Sequence, residues 1–347
     1  MLVVEDSRVT RTYIKRVLSE VPEFEVLEPA VDGRDAVAKA LAMEPDIILM
    51  DLHLPELDGV MAIELIMSQK PCPIVVLSGE LTRRDTDYTF AALNAGAVDV
   101  ISKPKGMATE LREDFTRQLV DALRLMSKVK VVTRRFPRSS TMREISEVIT
   151  QDETPHARQI ELVAIGASTG GPAALYELLT SLPTPAPFAV IISQHIANGF
   201  EHGLCSWLRT TGHDVEIPLP GTPVLAGKVY LSPANASVTV GPKYLEIVPT
   251  VGGEITPNID RLFSSVARYY AKCSLGILLT GMGSDGVRGL GQLRNAGAWT
   301  IAQNPATAVI SSMPGGAVDS GAAGEVLDVA DIGKRLAEIA DRIGGRL

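Results

Sequence analysis

The chain has 347 residues, of which 46% are hydrophobic, and a chain of this length can form two ordinary globular domains. Its net charge of −8 at pH 7 excludes a chain-wide basic surface of the kind that binds nucleic acid, so we expect no nucleic-acid partner. The three cysteines lie far apart without a CxxC pair, and no apolar run approaches the roughly 20 residues that span a bilayer, so we expect a cytoplasmic protein without disulfides or membrane insertion.

The first 125 residues alternate short β-rich runs with helical patterns. The β-rich runs are MLVV, DIILMD, PIVVLSG and VDVIS, and helical patterns cover 9–19, 62–68 and 91–95. This βαβ repetition predicts a parallel sheet that is covered by helices on both faces. Because the first strand is so short, a start of the natural chain upstream of Met1 is left open.

Polar residues follow the predicted strands at the points where the strands end. Glu5 and Asp6 follow MLVV, and Asp51 follows DIILM. The carboxyl ends of parallel strands lie side by side, so these carboxylates can converge on one site, where oxygen ligands favour Mg²⁺. Ser78 and Lys103 end two further strands and offer a hydroxyl and a cation to phosphoryl oxygens. Any one of these residues alone is equally well an ordinary strand-end residue, but together they predict a carboxylate that accepts a phosphoryl group.

These segments resemble the response-regulator receiver family over roughly residues 1–124, through VVEDS, MDLHLPELDG, VVLSG and NAGAVDVISKP. The resemblance implies a flavodoxin-like fold in which Asp51 is the phosphoacceptor, Ser78 the switch hydroxyl and Lys103 the phosphate-pairing lysine. The Mg²⁺ ligands that it implies are Glu5, Asp6, Asp51 and the backbone carbonyl of His53. Receivers often have an aromatic residue three positions before the lysine, whereas this chain has Val100, which leaves the aromatic part of the switch open.

Residues 126–158 break the α/β pattern. They contain a basic run between Lys128 and Arg143, a proline, a Ser/Thr cluster and then an acidic stretch. This composition favours a solvated linker over a surface that docks on an acidic partner. We therefore predict a receiver domain at 1–125, a linker at 126–158 and a second domain at 159–347.

A second α/β pattern begins at Ile160. Its β-rich runs are ELVAIG, FAVIIS, LGILLT and WTIAQ, and helical patterns start at Ala173, Val287 and Asp331, with a Pro- and Gly-rich region between them. The fold class expected for the whole chain is therefore α/β, with two doubly wound parallel-sheet domains.

A turn of small residues follows the strand ELVAIG and contains Ser168. Gly166, Ser168 and Gly170 match G-x-S-x-G, a strand-to-helix turn that exposes a serine hydroxyl near backbone N–H groups able to stabilise an oxyanion. Alone the motif is weak, because Gly-rich turns of this kind bind phosphate at least as often. His195 follows the next strand and should lie at the same sheet edge as a base, although a lone histidine there is more often structural.

Asp285 follows the strand LGILLT and completes a set of nucleophile, base and orienting acid. The order serine, histidine, aspartate excludes the α/β-hydrolase family by analogy but does not exclude a triad, because triads are recognised by role. A competing interpretation is a dinucleotide site, since Gly281, Gly283 and Gly286 spell G-x-G-x-x-G. That interpretation is disfavoured, because the following strand WTIAQN ends without an acidic residue to bind a ribose.

The second half resembles the catalytic domain of chemotaxis protein-glutamate methylesterases, the CheB family, over about residues 159–343. The matching segments are GASTGGP, SQHIANGF, LTGMGSDGVRGL, AGAWTIAQN and SSMPGGAV. The resemblance implies a Rossmann-like domain that hydrolyses glutamate γ-methyl esters, and deamidates glutamines, on methyl-accepting chemoreceptors, without a cofactor for hydrolysis. The site residues that it implies are Ser168 as nucleophile, His195 as general base, Asp285 as its orienting partner, the backbone N–H of Met282 at the oxyanion, and Thr169 beside the nucleophile. A chemotaxis histidine kinase would be the phosphodonor.

The chain also departs from the family near these segments. Ser237 stands where the family usually has histidine, Gly315 stands where it often has arginine, and TPNIDRLF lacks the usual preceding basic residue. These departures leave substrate docking open but do not touch the triad. A second class of function is a non-enzymatic adaptor with an inactive output domain, which the intact triad disfavours.

Overall fold

The computed structural model describes residues 1–79, 83–103, 109–129, 131, 160–249 and 256–345. These residues form two α/β domains, one before and one after the unassigned stretch at 132–159. Most of the predicted linker lies outside the described residues, so the predicted domain boundaries stay predictions. Among the described residues, no helix combines the length and the apolar composition needed to cross a membrane.

The first domain is built on a parallel sheet with the strand order β1-β2-β3-β4. Its strands are β1 (Leu2–Val4), β2 (Ile48–Asp51), β3 (Ile74–Ser78) and β4 (Asp99–Ser102). Its helices are α1 (Arg8–Ser19), α2 (Gly33–Met43), α3 (Gly59–Gln69), α4 (Arg83–Ala95) and α5 (Thr109–Met126). The first three strands are buried along their whole length, which explains their continuous apolar runs, because helices cover both faces of the sheet.

The second domain is built on a larger parallel sheet with the order β13-β12-β11-β5-β6-β8-β7. Its strands are β5 (Leu162–Ala167), β6 (Ala189–Gln194), β7 (Asp214–Glu216), β8 (Lys228–Leu231), β11 (Ser274–Leu278), β12 (Trp299–Gln303) and β13 (Glu325–Leu327). Its helices are α6 (Gly171–Ser181), α7 (Glu201–Arg209), α8 (Ile259–Tyr269), α9 (Val287–Asn295), α10 (Ser312–Asp319) and α11 (Val329–Ile343). An antiparallel hairpin of β9 (Ala236–Val240) and β10 (Leu245–Pro249) lies outside this sheet.

The strand order of the second domain reverses at β5. The chain adds β6, β8 and β7 on one side of β5 and later adds β11, β12 and β13 on the other side. In open α/β sheets such a reversal leaves a crevice at the carboxyl ends of the central strands, where ligands bind. This crevice receives the residues that follow β5, β6 and β11.

The two parallel sheets confirm the predicted α/β class with two doubly wound domains. The Pro- and Gly-rich region, for which no element was predicted, contains β7, β8, the hairpin and the start of α8. Short strands and a hairpin in this region carry too few residues for a clear periodic pattern, and their pairing is decided by the neighbouring sheet.

The two domains contact each other through α4 of the first and through α6 and α7 of the second. Phe90 on α4 stacks on Trp207 of α7, with ring centroids 5.4 Å apart, and Trp207 stacks in turn on Tyr176 of α6 at 4.6 Å. The apolar core is continuous across this contact. The first domain therefore packs on the same side of the second domain as the crevice.

Candidate active site

The turn after β5 holds Ser168 at the carboxyl end of the sheet. Gly170 has φ +78°, and a Cβ at this position would lie 2.7 Å from the Val309 side chain, so only glycine fits the turn. The Ser168 N–H donates to the carbonyl of Thr280 at 3.0 Å, which ties the turn to the end of β11. A Cβ at Gly281 would lie 2.6 Å from the Ser168 Cβ, so this glycine permits the close approach of the two loops.

The structure brings the three predicted triad residues together. His195 Nδ1 lies 3.2 Å from Ser168 Oγ, and His195 Nε2 lies 2.8 Å from Asp285 Oδ2. The carboxylate can only accept, so Nε2 carries the proton and the lone pair of Nδ1 faces the serine hydroxyl. The two ring nitrogens have the opposite assignment to that in the chymotrypsin triad, but the chain of contacts is the same.

The first turn of α8 also holds the Asp285 carboxylate. The N–H of Ile259 donates to Oδ2 at 2.8 Å, and the N–H of Asp260 donates to Oδ1 at 2.9 Å. Burial acts to raise the pKa of Asp285, but the hydrogen bonds from His195 and from these two N–H groups outweigh it and hold the pKa below its usual value. Asp285 is therefore kept ionised and oriented.

The N-terminus of α8 is in turn fixed by Asn258 and Ser237. The Asn258 side chain caps the helix by accepting from the Arg261 N–H at 2.8 Å. The Asn258 N–H donates to Ser237 Oγ at 2.9 Å, and Ser237 is buried. The departure at position 237 thus supports the helix that holds Asp285, a role that the sequence analysis did not identify. An asparagine before an apolar helical pattern is an N-cap signal that could have located this helix.

The predicted oxyanion donor, Met282, directly follows Gly281. Among the described residues its backbone N–H has no hydrogen-bond partner, and its side chain is 55% exposed. Thr169, predicted beside the nucleophile, is held through its carbonyl, which accepts from Thr280 Oγ1 at 2.9 Å. A backbone N–H without a partner can bind a developing negative charge, so Met282 stays the predicted oxyanion donor.

The glycines of the G-x-G-x-x-G match have packing roles in this fold. Gly281 allows the approach to Ser168, and Gly286 has φ +87° with no room for a Cβ against Ile259 and Leu278. These contacts account for the two glycines without a dinucleotide. Gly315, by contrast, faces open space, so the missing arginine side chain leaves the surface there uncovered.

The predicted phosphoacceptor pocket of the first domain also assembles. Lys103 Nζ lies 2.7 Å from Asp51 Oδ2 and 2.9 Å from Glu5 Oε2. Carboxylate oxygens of Glu5, Asp6 and Asp51 lie within 4.8 Å of one another, and the His53 N–H donates to Asp51 Oδ1 at 3.3 Å. The pocket is therefore an acidic cluster with one lysine bridging two of its carboxylates.

Charge and burial act against each other in this pocket. Burial, with the neighbouring Asp51, raises the pKa of Glu5 despite its contact with Lys103. Burial acts to lower the pKa of Lys103, but its hydrogen bonds and attraction to Asp51 and Glu5 outweigh it and raise that pKa. The lysine is thus held in its charged form beside Asp51.

Ser78, the predicted switch hydroxyl, contacts α4. Its Oγ lies 3.2 Å from Thr89 Oγ1, and Thr89 precedes Phe90, which stacks on Trp207 across the domain contact. A cavity of about 330 Å³ lies between the domains. It is bounded by residues of both domains, including Phe90, Leu93, Asp99, Ser168, His195 and Val309. The first domain therefore covers the turn that carries Ser168.

Comparisons with known proteins match both domains. The family described as CheB methylesterase matches residues 163–336, and the response regulator receiver domain family matches residues 1–114. Two curated relatives are named protein-glutamate methylesterase/protein-glutamine glutaminase 4. The one from Geobacter metallireducens is 38% identical over 332 residues and covers 94% of each chain. The one from Myxococcus xanthus is 38% identical over 349 residues, covering 99% of this chain and 98% of the relative.

Among solved structures, the crystal structure of the Thermotoga maritima CheB methylesterase catalytic domain is 28% identical. It covers 52% of this chain and 98% of that chain, with a TM-score of 0.49. The family match and the curated relatives confirm the predicted enzyme class, carboxylic ester hydrolase. The chain belongs to the CheB methylesterase family and carries a response regulator receiver domain.

Proposed function

We propose that this protein is a phosphorylation-activated protein-glutamate methylesterase. It hydrolyses glutamate γ-methyl esters, and deamidates glutamines, on the cytoplasmic helices of methyl-accepting chemoreceptors. The observation that carries the proposal is the unbroken set of contacts from Ser168 through His195 to Asp285, in a member of this family. This set supplies a nucleophile, a base and an orienting carboxylate at a single crevice.

Acyl transfer in this site proceeds through two steps. Ser168 Oγ bonds to the ester carbonyl carbon while its proton passes to His195 Nδ1, and the bond to the methoxy oxygen breaks so that methanol leaves with that proton. Water then attacks the acyl-enzyme carbonyl and gives a proton to His195. The bond between the carbonyl carbon and Ser168 Oγ breaks, Oγ receives that proton, and a glutamate side chain is released. Asp285 stabilises the imidazolium, and the Met282 N–H stabilises the oxyanion. The hydrolysis draws on no cofactor.

The receiver takes its phosphoryl group from a chemotaxis histidine kinase, with Asp51 as the acceptor. Glu5, Asp6, Asp51 and the His53 carbonyl would hold Mg²⁺, and the three carboxylates fit this ion because they offer hard oxygen ligands within 4.8 Å of one another. When bound, the ion supplies positive charge that offsets the charge of the phosphoryl oxygens. Lys103, held beside Asp51, pairs with the phosphoryl group.

The unmodified receiver restrains the esterase by covering the Ser168 turn. After phosphorylation, Ser78 turns from Thr89 toward the phosphoryl group, which loosens the α4 segment that carries Phe90. The stack of Phe90 on Trp207 then weakens, and the domains separate. Phe90 would in this way take the aromatic role that Val100 lacks.

The test is methanol release from methylated chemoreceptor, with and without a small phosphodonor plus Mg²⁺. We expect phosphodonor to increase the rate, Ser168→Ala to abolish it, and Asp51→Asn to remove the stimulation while keeping the basal rate. Stimulation that persists in Asp51→Asn would reject the regulatory half. Absence of methanol under every condition would reject the esterase half.

The adaptor alternative is separated from the esterase by a fluorophosphonate probe, which reacts with activated serines. An adaptor with an inactive output domain leaves Ser168 unlabelled. An esterase is labelled at Ser168, and the labelling is lost in Ser168→Ala.

A further inference from the structure

Gln194, the last residue of β6, contacts the backbone of two triad residues at once. Its side-chain Nε2 donates to the carbonyl oxygen of Ser168 at 2.8 Å and to the carbonyl oxygen of His195 at 2.8 Å. Gln194 is 1% exposed, and it pairs with Ala167 across the two parallel strands. It therefore lies between the points at which Ser168 and His195 leave the sheet.

The chemistry of the contact requires an amide. Two carbonyl oxygens need two N–H donors, and the amide nitrogen of glutamine carries two protons directed to different acceptors. The Gln194 Oε1 atom is buried without a hydrogen-bond partner among the described residues, and it packs where a Cβ at Gly171 would overlap it. An unpaired buried acceptor destabilises the fold, so the two contacts of Nε2 are accompanied by a cost in stability at Oε1.

We propose that Gln194 is a positioning residue that holds the nucleophile and the base of the triad in register. The inference rests on the proposed triad and goes beyond it, because Gln194 contacts the backbone carbonyl oxygens of Ser168 and His195 rather than their reacting side-chain atoms. The Ser168 turn is tied to β11 by the bond from its N–H to the Thr280 carbonyl. The His195 N–H donates to the carbonyl of Ala167 at 3.0 Å, but Ala167 is the last residue of β5 and lies before the turn. Gln194 joins the turn itself to His195 and so maintains the 3.2 Å contact between Ser168 Oγ and Nδ1.

The test measures the rate at which a fluorophosphonate probe labels Ser168 in the full chain, treated with acetyl phosphate and Mg²⁺. Gln194→Met keeps the length of the side chain but removes both donors. We expect it to label roughly 10- to 100-fold more slowly, the range for a small displacement of reacting groups. The matched control is Ser193→Ala, because Ser193 is the preceding residue of β6 and its buried hydroxyl has no partner among the described residues. The control should label at the parent rate.

A second variant tests the positioning role through the pH dependence of the labelling rate, which a merely structural role would not change. In Gln194→Glu the ionised carboxylate faces two carbonyl oxygens without a donor, whereas the protonated acid regains one donor. The labelling rate of Gln194→Glu divided by the parent rate should therefore rise as the pH is lowered. The corresponding ratio for Gln194→Met should stay constant with pH.

The outcomes separate this inference from the proposed function. A folded Gln194→Met, judged by its thermal unfolding midpoint, that labels at the parent rate overturns the positioning role alone. If Gln194→Met does not fold, the positioning role is overturned when the labelling rate of Gln194→Glu, divided by the parent rate, does not change with pH. Absence of labelling in the parent chain overturns the triad and the positioning role together.

Discussion

The two domains place a candidate nucleophilic oxygen at the same point of the same kind of sheet, but they surround it differently. Asp51 ends β2, and Ser168 follows β5, each at the carboxyl edge of a parallel sheet. Asp51 is bridged by a lysine at 2.7 Å and has acidic neighbours. Ser168 is linked instead to a histidine, which in turn contacts a buried carboxylate. The proposed phosphoacceptor is surrounded by charges, whereas the proposed serine nucleophile has contacts along which a proton can pass.

The difference suits the two proposed nucleophiles. A carboxylate is already ionised at neutral pH, so it needs only charges that position the phosphoryl group. A serine hydroxyl is a weak nucleophile until a base takes its proton. Replacing His195 should therefore impair only ester hydrolysis, and replacing Lys103 should impair only the response to the phosphodonor.

The largest effect is expected for His195→Gln. Loss of the base should lower the rate of ester hydrolysis by on the order of 10⁶-fold, the scale measured for other serine hydrolases. Phosphorylation of Asp51, measured by the incorporation of labelled phosphate, should be unchanged. His202→Gln, at an exposed position of α7, is the matched control and should keep full activity. Comparable activity of the two variants would exclude the triad.

Asp285→Asn should be the next most damaging change. The amide offers one acceptor where the carboxylate accepts from His195, Ile259 and Asp260, so the imidazole loses its orientation and the stabilisation of its charge. We expect a loss of about 10⁴-fold in kcat, as for the equivalent change in trypsin-like enzymes. Asp319→Asn, at an exposed position, serves as control. A kcat within tenfold of the parent value would contradict the assigned role.

Lys103→Met should affect only the receiver. It removes the cation that bridges Asp51 and Glu5, so the phosphodonor should no longer stimulate methanol release. The parent chain should be stimulated roughly 10-fold, which corresponds to a shift of about 1.4 kcal/mol in the equilibrium between the restrained and the active domain arrangement. Lys103→Met should lose this stimulation and keep the basal rate. Lys70→Met, at a surface ion pair with Glu44, should retain the stimulation. A Lys103→Met variant that is still stimulated would separate Lys103 from the switch.

Trp207→Leu should uncouple the two domains. It removes the stack with Phe90 and Tyr176, worth about 1 kcal/mol, and should raise the activity of the unphosphorylated chain by roughly 5-fold. Trp299 is the other tryptophan, and Trp299→Phe is the control that should keep the basal rate. The emission of Trp207 in Trp299→Phe should also shift on phosphorylation. An unchanged basal rate in Trp207→Leu would argue that this contact does not restrain the esterase.

The smallest effect concerns Asp99, a half-buried carboxylate that bounds the cavity between the domains. Burial raises the pKa of Asp99 from 3.8 to about 6, so the packed state favours the protonated acid. Its contribution to stability is complete below pH 3.8 and is lost as the pH rises through about 6. Asp99→Asn should abolish that pH dependence and raise the thermal midpoint at neutral pH by a few degrees. The exposed Asp46→Asn should leave the pH profile unchanged.

The convergence of the candidate reactive residues within each domain could be predicted from the chain alone. Asp51, Ser168, His195 and Asp285 each come directly after, or a few residues after, a clear β-rich run, and parallel strands bring such positions to one edge. Small residues around Ser168 marked the turn because a strand-to-helix turn with left-handed backbone requires glycine. The α/β class followed from the alternation of strand and helix patterns.

The tertiary structure decided how these residues are held. The N–H groups of α8 that hold Asp285, and the amide of Gln194 that joins Ser168 to His195, are contacts between segments far apart in the chain or made by backbone atoms. Backbone donors leave no trace in residue identity, and a strand-end glutamine has the same sequence pattern whether it faces solvent or two carbonyls. The covering of the Ser168 turn by α4 likewise depends on packing between the two domains, which periodicity within either domain does not encode.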